Sequence, residues 1–325
     1  MSRLQKILVF IVLPALFACL PAPGIPPGSV TPTFTPWAAG TETAMAVDTH
    51  TALASSLTAT PVSTASPFPT FTSGGIEKPT DFSPVLYGGK LYDAVSFLLL
   101  GGVSREGWYA PDMSVARFSG EAAYGLHNME YVDKYFLWGG SPEFSPTCKT
   151  YSVRTDAGLD EAGFVATLDG WAVTKREVTE LSADGEFYQD TVIDWLEAEG
   201  VSSPRIGILQ IFRVDIEGDG ADEVFISATR LDESQHTTKA GDYSVVLMRK
   251  ISDGDVVTKF VIGDIYRSEE LELTFPRTYS LANFIDLNQD GVLEVIVEIR
   301  GWEKFGAVVF QIDGLEVIQA LRAEC

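Results

Sequence analysis

Two acidic loops in one register constrain this chain more than any other feature. "VDIEGDGADEVFIS" places Asp215, Glu217, Asp219 and Glu223 at positions 1, 3, 5 and 9, with Gly220 at position 6. "IDLNQDGVLEVIV" places Asp286, Asn288, Asp290 and Glu294 at the same positions, with Gly291 at position 6. The loops start 71 residues apart, at Asp215 and Asp286. An apolar run precedes each loop and an alternating run follows it. In "EVIVEIR", Val295, Val297 and Ile299 face one way, and Ile296, Glu298 and Arg300 the other, which is the period of a strand. Downstream, "YSVVLMRKISDGDVVTKFVIGD" aligns with "GAVVFQIDGLEVIQALRAE". Each reads as strand, turn, strand, with Asp253-Gly254 and Asp313-Gly314 in the turns. Each copy is therefore expected to be four strands with an acidic loop between the first and second. The first copy carries an insertion, "LDESQHTTKAG".

The residue types of the loops point to a cation. Calcium takes roughly six to eight oxygen ligands at about 2.3–2.6 Å. Side chains at alternate positions converge on one point when the backbone curls around it, and the sharp turn at position 6 needs glycine. Position 7 offers a backbone carbonyl, Ala221 or Val292, and Glu223 or Glu294 closes the shell at position 9. The helix-loop-helix calcium motif does not fit, because position 12 is Ile226 or Val297 where that motif needs a glutamate. The metal-free alternative is a hairpin loop of Asx turns, in which several carboxylates would repel one another. The expectation is one structural calcium per loop, bracing a turn between strands.

A four-stranded unit with D-x-[D/N]-x-D-G-x-x-E between its first two strands resembles the FG-GAP/VCBS repeats of integrin-type β-propellers and many secreted bacterial proteins. The resemblance covers residues about 205–325. It implies a blade-like sheet and one calcium for each repeat. Two copies are too few to close a propeller, which typically has at least four blades. The fold class expected is therefore mainly β with one clear helix: two propeller-blade-like repeats and a β-rich N-terminal part, not a full closed propeller.

The N-terminus carries an address. "MSRLQKILVFIVLPALFAC" has a basic start, Arg3 and Lys6, an apolar stretch, and Ala18 before Cys19, the layout of a secretory signal peptide. "LFAC" resembles the lipobox of bacterial lipoproteins, which implies a signal peptide over 1–18 and lipidation of Cys19. Ordinary cleavage near Ala18 or Ala22, or an uncleaved anchor, is the alternative. Residues 19–75 are rich in Pro, Thr, Ser, Ala and Gly and have no apolar face, so they cannot offset the entropy of ordering and read as a disordered linker. This layout implies an extracytoplasmic, membrane-anchored protein.

The remaining residues suffice for one large domain or two small ones. The whole chain has 45 acidic residues against 23 basic ones, a net charge of −22. Such a balance excludes nucleic acid as a partner, since phosphate binding needs a basic patch. Cys148 and Cys325 can form one disulfide in an oxidising compartment, the alternative being two free thiols. Residues 76–204 read as short strands broken by glycine, with a helix at about 185–199 on which Tyr188, Val192, Trp195 and Leu196 share a face. Trp108, Tyr109, Trp138 and Trp171 offer either a carbohydrate platform or ordinary packing.

No catalytic constellation stands out. His127 and His236 lie in no zinc motif, and there is no G-x-S-x-G elbow and no phosphate loop. The function expected is that of a non-enzymatic, calcium-binding module that meets a protein or glycan at the cell envelope, through loops such as 231–242. A hydrolase or accessory factor acting on extracellular polymer, and a purely structural envelope component, are the alternatives.

Overall fold

A computed structural model of the chain describes residues 81–88, 96–118, 120–130, 135–156, 163–231, 236–267 and 275–325. The signal peptide, Cys19 and the linker lie outside the described residues, as does part of the 231–242 loop. The described chain is mainly β. Three antiparallel sheets follow one another along the sequence, so each is a local unit.

The first sheet contains β1 (Ser83–Gly88), β2 (Ser96–Ser104), β3 (Gly107–Tyr109), β4 (Ala122–His127), β5 (Tyr135–Gly139), β6 (Glu143–Ser145), β7 (Thr150–Arg154) and β8 (Phe164–Leu168). Its order is β5-β4-β8-β1-β2-β7-β6, with β3 on β2. A short helix, α1 (Pro111–Val115), follows β3; it has no signal in the sequence reading beyond proline at its first turn. The second sheet contains β9 (Thr179–Glu180), β10 (Ile208–Val214), β11 (Glu223–Thr229), β12 (Asp242–Ser252) and β13 (Asp255–Tyr266), in the order β13-β12-β11-β10-β9. The third contains β14 (Arg277–Ile285), β15 (Glu294–Gly301), β16 (Lys304–Asp313) and β17 (Glu316–Glu324), in sequence order.

The expected helix is α2 (Glu186–Ala198), capped by Gly185 and Glu199 and followed by Gly200 in a left-handed conformation at φ 90°. Val192 and Leu196 are fully buried and pack with Ile211, Ile226, Tyr243 and Leu247 on one face of the second sheet. The other face of that sheet presents Phe212, Phe225 and Met248 to Phe284, Val295 and Val297 of the third. The third sheet's far face presents Ile296, Phe305 and Val309 to Tyr87, Leu98 and Val165 of the first. The layers thus run helix, sheet, sheet, sheet, and the sheet β14–β17 is covered on both faces. This is why "EVIVEI" is apolar almost throughout: its odd residues meet one neighbour and its even residues the other. The first sheet curls over its own second core of Leu86, Leu99, Tyr124, Leu126 and Leu137.

Of the two Asp-Gly turns, the first lies where expected and the second is shifted by one residue. In β12–β13, Ser252 pairs with Asp255, leaving Asp253 and Gly254 at the corner with φ 54° and 89°. In β16–β17, Asp313 itself pairs with Glu316, so Gly314 and Leu315 form the corner and Asp313 ends the strand. With glycine first in the corner, only Gly314 needs the left-handed region, at φ 58°, and leucine can follow it.

Cys148, in the turn before β7, is paired with Cys325 beyond β17, with Cα atoms 4.6 Å apart. The bridge ties the first sheet to the third. Backbone bonds in both directions between Cys325 and Phe305 hold the same terminus independently.

Candidate functional site

The two acidic loops occupy equivalent places, β10 to β11 and β14 to β15, and lie side by side: the Leu293 N–H donates to the Ile216 carbonyl at 2.9 Å. The internal hydrogen bonds made by the carboxylates at positions 1, 5 and 9 match, whereas the position-5 N–H turns to Asp215 in the first loop and to the Asn288 amide oxygen in the second. The position-1 carboxylate accepts from the N–H groups of positions 4 and 6: Gly218 at 2.6 Å and Gly220 at 2.9 Å on Asp215, Gln289 at 2.7 Å and Gly291 at 3.1 Å on Asp286. The position-5 carboxylate accepts from position 7, so Ala221 donates to Asp219 and Val292 to Asp290, each at 2.8 Å. The position-9 carboxylate accepts from position 2, Ile216 on Glu223 at 3.0 Å and Leu287 on Glu294 at 2.7 Å. Positions 4 and 6 are left-handed in both loops: Gly218 and Gly220 at φ 75° and 90°, Gln289 and Gly291 at 65° and 91°. A non-glycine at Gln289 shows how strongly the surrounding bonds hold that turn.

A segment after β8 that carries no motif staples the two loops together. The Trp171 indole donates to the Leu287 carbonyl at 2.8 Å. Thr174 and Asp286 form an isolated antiparallel bridge. The Arg176 guanidinium donates to the carbonyls of Asp215 at 3.1 Å and Ile216 at 2.6 Å in one loop, and of Gly291 at 2.5 Å in the other. These contacts join residues far apart in sequence, and no local pattern announces them. Trp171 is therefore a packing residue. Trp108 packs against the core between the first and third sheets, Tyr109 packs edge-on to Phe82, and Trp138 alone of the four aromatics is well exposed. They do not form one platform. His236 is half-buried against Trp302 at 4.1 Å between ring centroids.

The electrostatics of the loops diverge. In the β14–β15 loop, Asp286 and Glu294 are buried, 3 % and 1 % exposed. Burial, together with the charges of Asp286 and Asp290, pushes the Glu294 carboxyl up to about 9. Burial and Asp290 also raise Asp286, against the N–H groups that favour its charge. Among the described residues no Lys, Arg or His side chain forms an ion pair with Asp286, Asp290 or Glu294. In the β10–β11 loop, burial works against the charge on Asp215, but the N–H groups of Gly220, Gly218 and Asp219 and the nearby Arg176 outweigh it, so its carboxyl sits below the usual range. Burial raises Glu223, and the Ile216 N–H and Lys250 pull it back.

That lysine is the main chemical difference between the loops. Lys250 Nζ lies 2.5 Å from Glu217 Oε1 and 3.4 Å from Glu223 Oε1. Lys250 follows Arg249, the partner of Val224; the matching residue of the second copy is Gln311, which follows Phe310, the partner of Val295. Asn288, at the position of Glu217, donates from Nδ2 to Asp290 Oδ2 at 2.8 Å. Asp222, the extra acid of the first loop, pairs with Arg213 at the surface.

Among the described residues no three Asp, Glu, His or Cys side chains stand close enough together to hold a metal ion as they are. The donor chemistry of the β14–β15 loop nevertheless fits a hard cation: three carboxylates and one amide oxygen on a turn built by backbone donors, two of the carboxylates desolvated. Among the described residues no helix is long and apolar enough to cross a membrane. No protein-family model, curated protein or solved structure matches this chain.

Proposed function

We propose that this chain is a membrane-anchored, extracytoplasmic binding module whose β-rich body is braced by calcium at the β14–β15 loop. One observation carries the reading: Asp286 and Glu294 are buried beside Asp290 with no cationic side chain among the described residues to balance them. Burying unpaired carboxylates costs stability, and such groups either take up protons or bind a cation. Calcium would supply two positive charges and exchange water for the oxygens of Asp286, Asn288, Asp290 and Glu294 and the Val292 carbonyl. Its role would be to hold the turn between β14 and β15, which sits in the sheet covered on both faces.

Further support comes from the architecture. Two four-stranded meanders, each with its acidic loop between the first two strands, stack face to face. We read them as blade-like repeats of the FG-GAP/VCBS type, with the first sheet as their neighbour. The anchor is a lipid on Cys19, and the linker over 19–75 holds the body off the membrane. The partner is a protein or glycan of the cell envelope, met through surface loops; fold analogy alone does not name it.

Thermal unfolding of the purified chain in calcium and in chelator tests the reading. A ligand at a hundred times its dissociation constant adds about 2.7 kcal/mol to the folded state, so the midpoint should rise in calcium. An unchanged midpoint, together with elemental analysis that finds no calcium in the sample, would refute it.

A further inference from the structure

We propose that the Lys250 ammonium is the resident cation of the β10–β11 loop, so that this loop is closed without metal and the chain binds one calcium rather than two. The lysine half of this inference stands on the geometry of the first loop. The stoichiometry rests on the calcium reading of the second loop.

Lys250 reaches across from β12 to the two positions where a metal ion would find ligands 3 and 9. Its Nζ lies 2.5 Å from Glu217 Oε1 and 3.4 Å from Glu223 Oε1, and the lysine side chain is only 11 % exposed. The ammonium thus sits between two carboxylates in a place largely shut off from water. Glu223 is then fully committed: one oxygen accepts from the Ile216 N–H and the other faces the lysine. Both oxygens of Asp215 accept backbone N–H groups. A divalent ion entering this loop would have to expel an ammonium from a nearly buried place or sit beside it, and two cations at that separation repel.

The residue choices of the two copies agree with this division. The first copy has the longer acid, Glu217, at position 3, and the extra methylene lets its carboxylate extend toward Lys250. The second has Asn288 there and the neutral Gln311 at the matching place on β16. One sequence position therefore decides whether the charge is balanced from within or from solution.

Calcium stoichiometry of the full chain, by isothermal titration calorimetry and by elemental analysis of desalted protein, is the test. The wild type should bind one equivalent, and Asp290→Ala, at an exposed position of the second loop, should bind none. Two equivalents in the wild type, or one retained in Asp290→Ala, would overturn the proposal, because the first loop would then hold metal. Lys250→Gln should melt lower than wild type in chelator and regain the difference in calcium, with a second equivalent bound; Lys250→Arg should keep the wild-type midpoint and stoichiometry. A Lys250→Gln variant that melts with the wild type in chelator would remove the role of the ammonium. A wild type that binds no calcium would defeat the reading of the second loop, and the chelator melts of the Lys250 variants would still decide the lysine half.

Discussion

His127 makes the stability of this fold depend on pH, with a sign and a size that follow from its surroundings. It lies on β4, fully buried, with Nε2 2.9 Å from Thr167 Oγ1, and its carbonyl accepts from Asn283 Nδ2 on β14 at 3.2 Å. Burial, and to a lesser extent the charge of Lys175, lowers its pKa from 6.5 to about 4. The unfolded chain takes up a proton below about pH 6.5, whereas the folded chain resists it until about pH 4. The neutral imidazole therefore contributes its full stability above pH 6.5, and that stability is lost as pH falls between the two values. One pKa unit corresponds to about 1.4 kcal/mol, so linkage predicts a loss of about 2 kcal/mol by pH 5 and about 3 kcal/mol by pH 4. Carboxylates also titrate in this range, so the measurement is a difference. Urea unfolding of wild type and His127→Gln should diverge by about 2 kcal/mol between pH 7.5 and 5, the wild type losing more. Parallel stability curves, or an imidazole that titrates near 6.5 by NMR, would refute the reasoning.

Two further outcomes follow from contacts between the sheets. Replacing both Cys148 and Cys325 by serine should leave the folded spectrum unchanged, because Cys325 and Phe305 stay paired through the backbone. It should lower the midpoint: the bridge spans a sequence separation of 177 residues, for which the chain-entropy model allows up to about 5 kcal/mol, or roughly 10 °C. A fall of under about 2 °C in differential scanning calorimetry would show that the unfolded chain gains little freedom. The buried Tyr87 hydroxyl donates to Glu298 Oε2 at 2.8 Å, across the contact of the first and third sheets. Tyr87→Phe should cost about 1.5–3 kcal/mol, as for a hydrogen bond to a charged group, and a loss below about 0.5 kcal/mol in urea titration would mean that Arg300 alone satisfies the carboxylate.

Much of the local structure is legible in the sequence. The alternation in "EVIVEIR", the spacing of both acidic loops and the apolar face of "FYQDTVIDWLEA" each depend on residues within a turn or a strand length of one another. The matching backbone networks of the two loops follow from the same cause, since every donor lies within seven residues of its acceptor. The turn at Asp313-Gly314 is shifted by one because register depends on the whole hairpin, not on the dipeptide. Helix α1 is too short for a periodic signal.

What determined the rest is distance in space. That β14–β17 lies between two other sheets, that Arg176 binds both loops at their backbone, and that His127 reaches Asn283 are facts about residues tens to hundreds of positions apart. The fate of the loops divides in the same way. Their oxygen-rich spacing is a sequence property, and by itself it treats them as equals. Only the fold brings Lys250, from the next strand, onto Glu217 and Glu223 while leaving Asp286 and Glu294 without a partner cation among the described residues. Backbone geometry is built by neighbours along the chain, but the net charge at a point is the sum over everything packed around it.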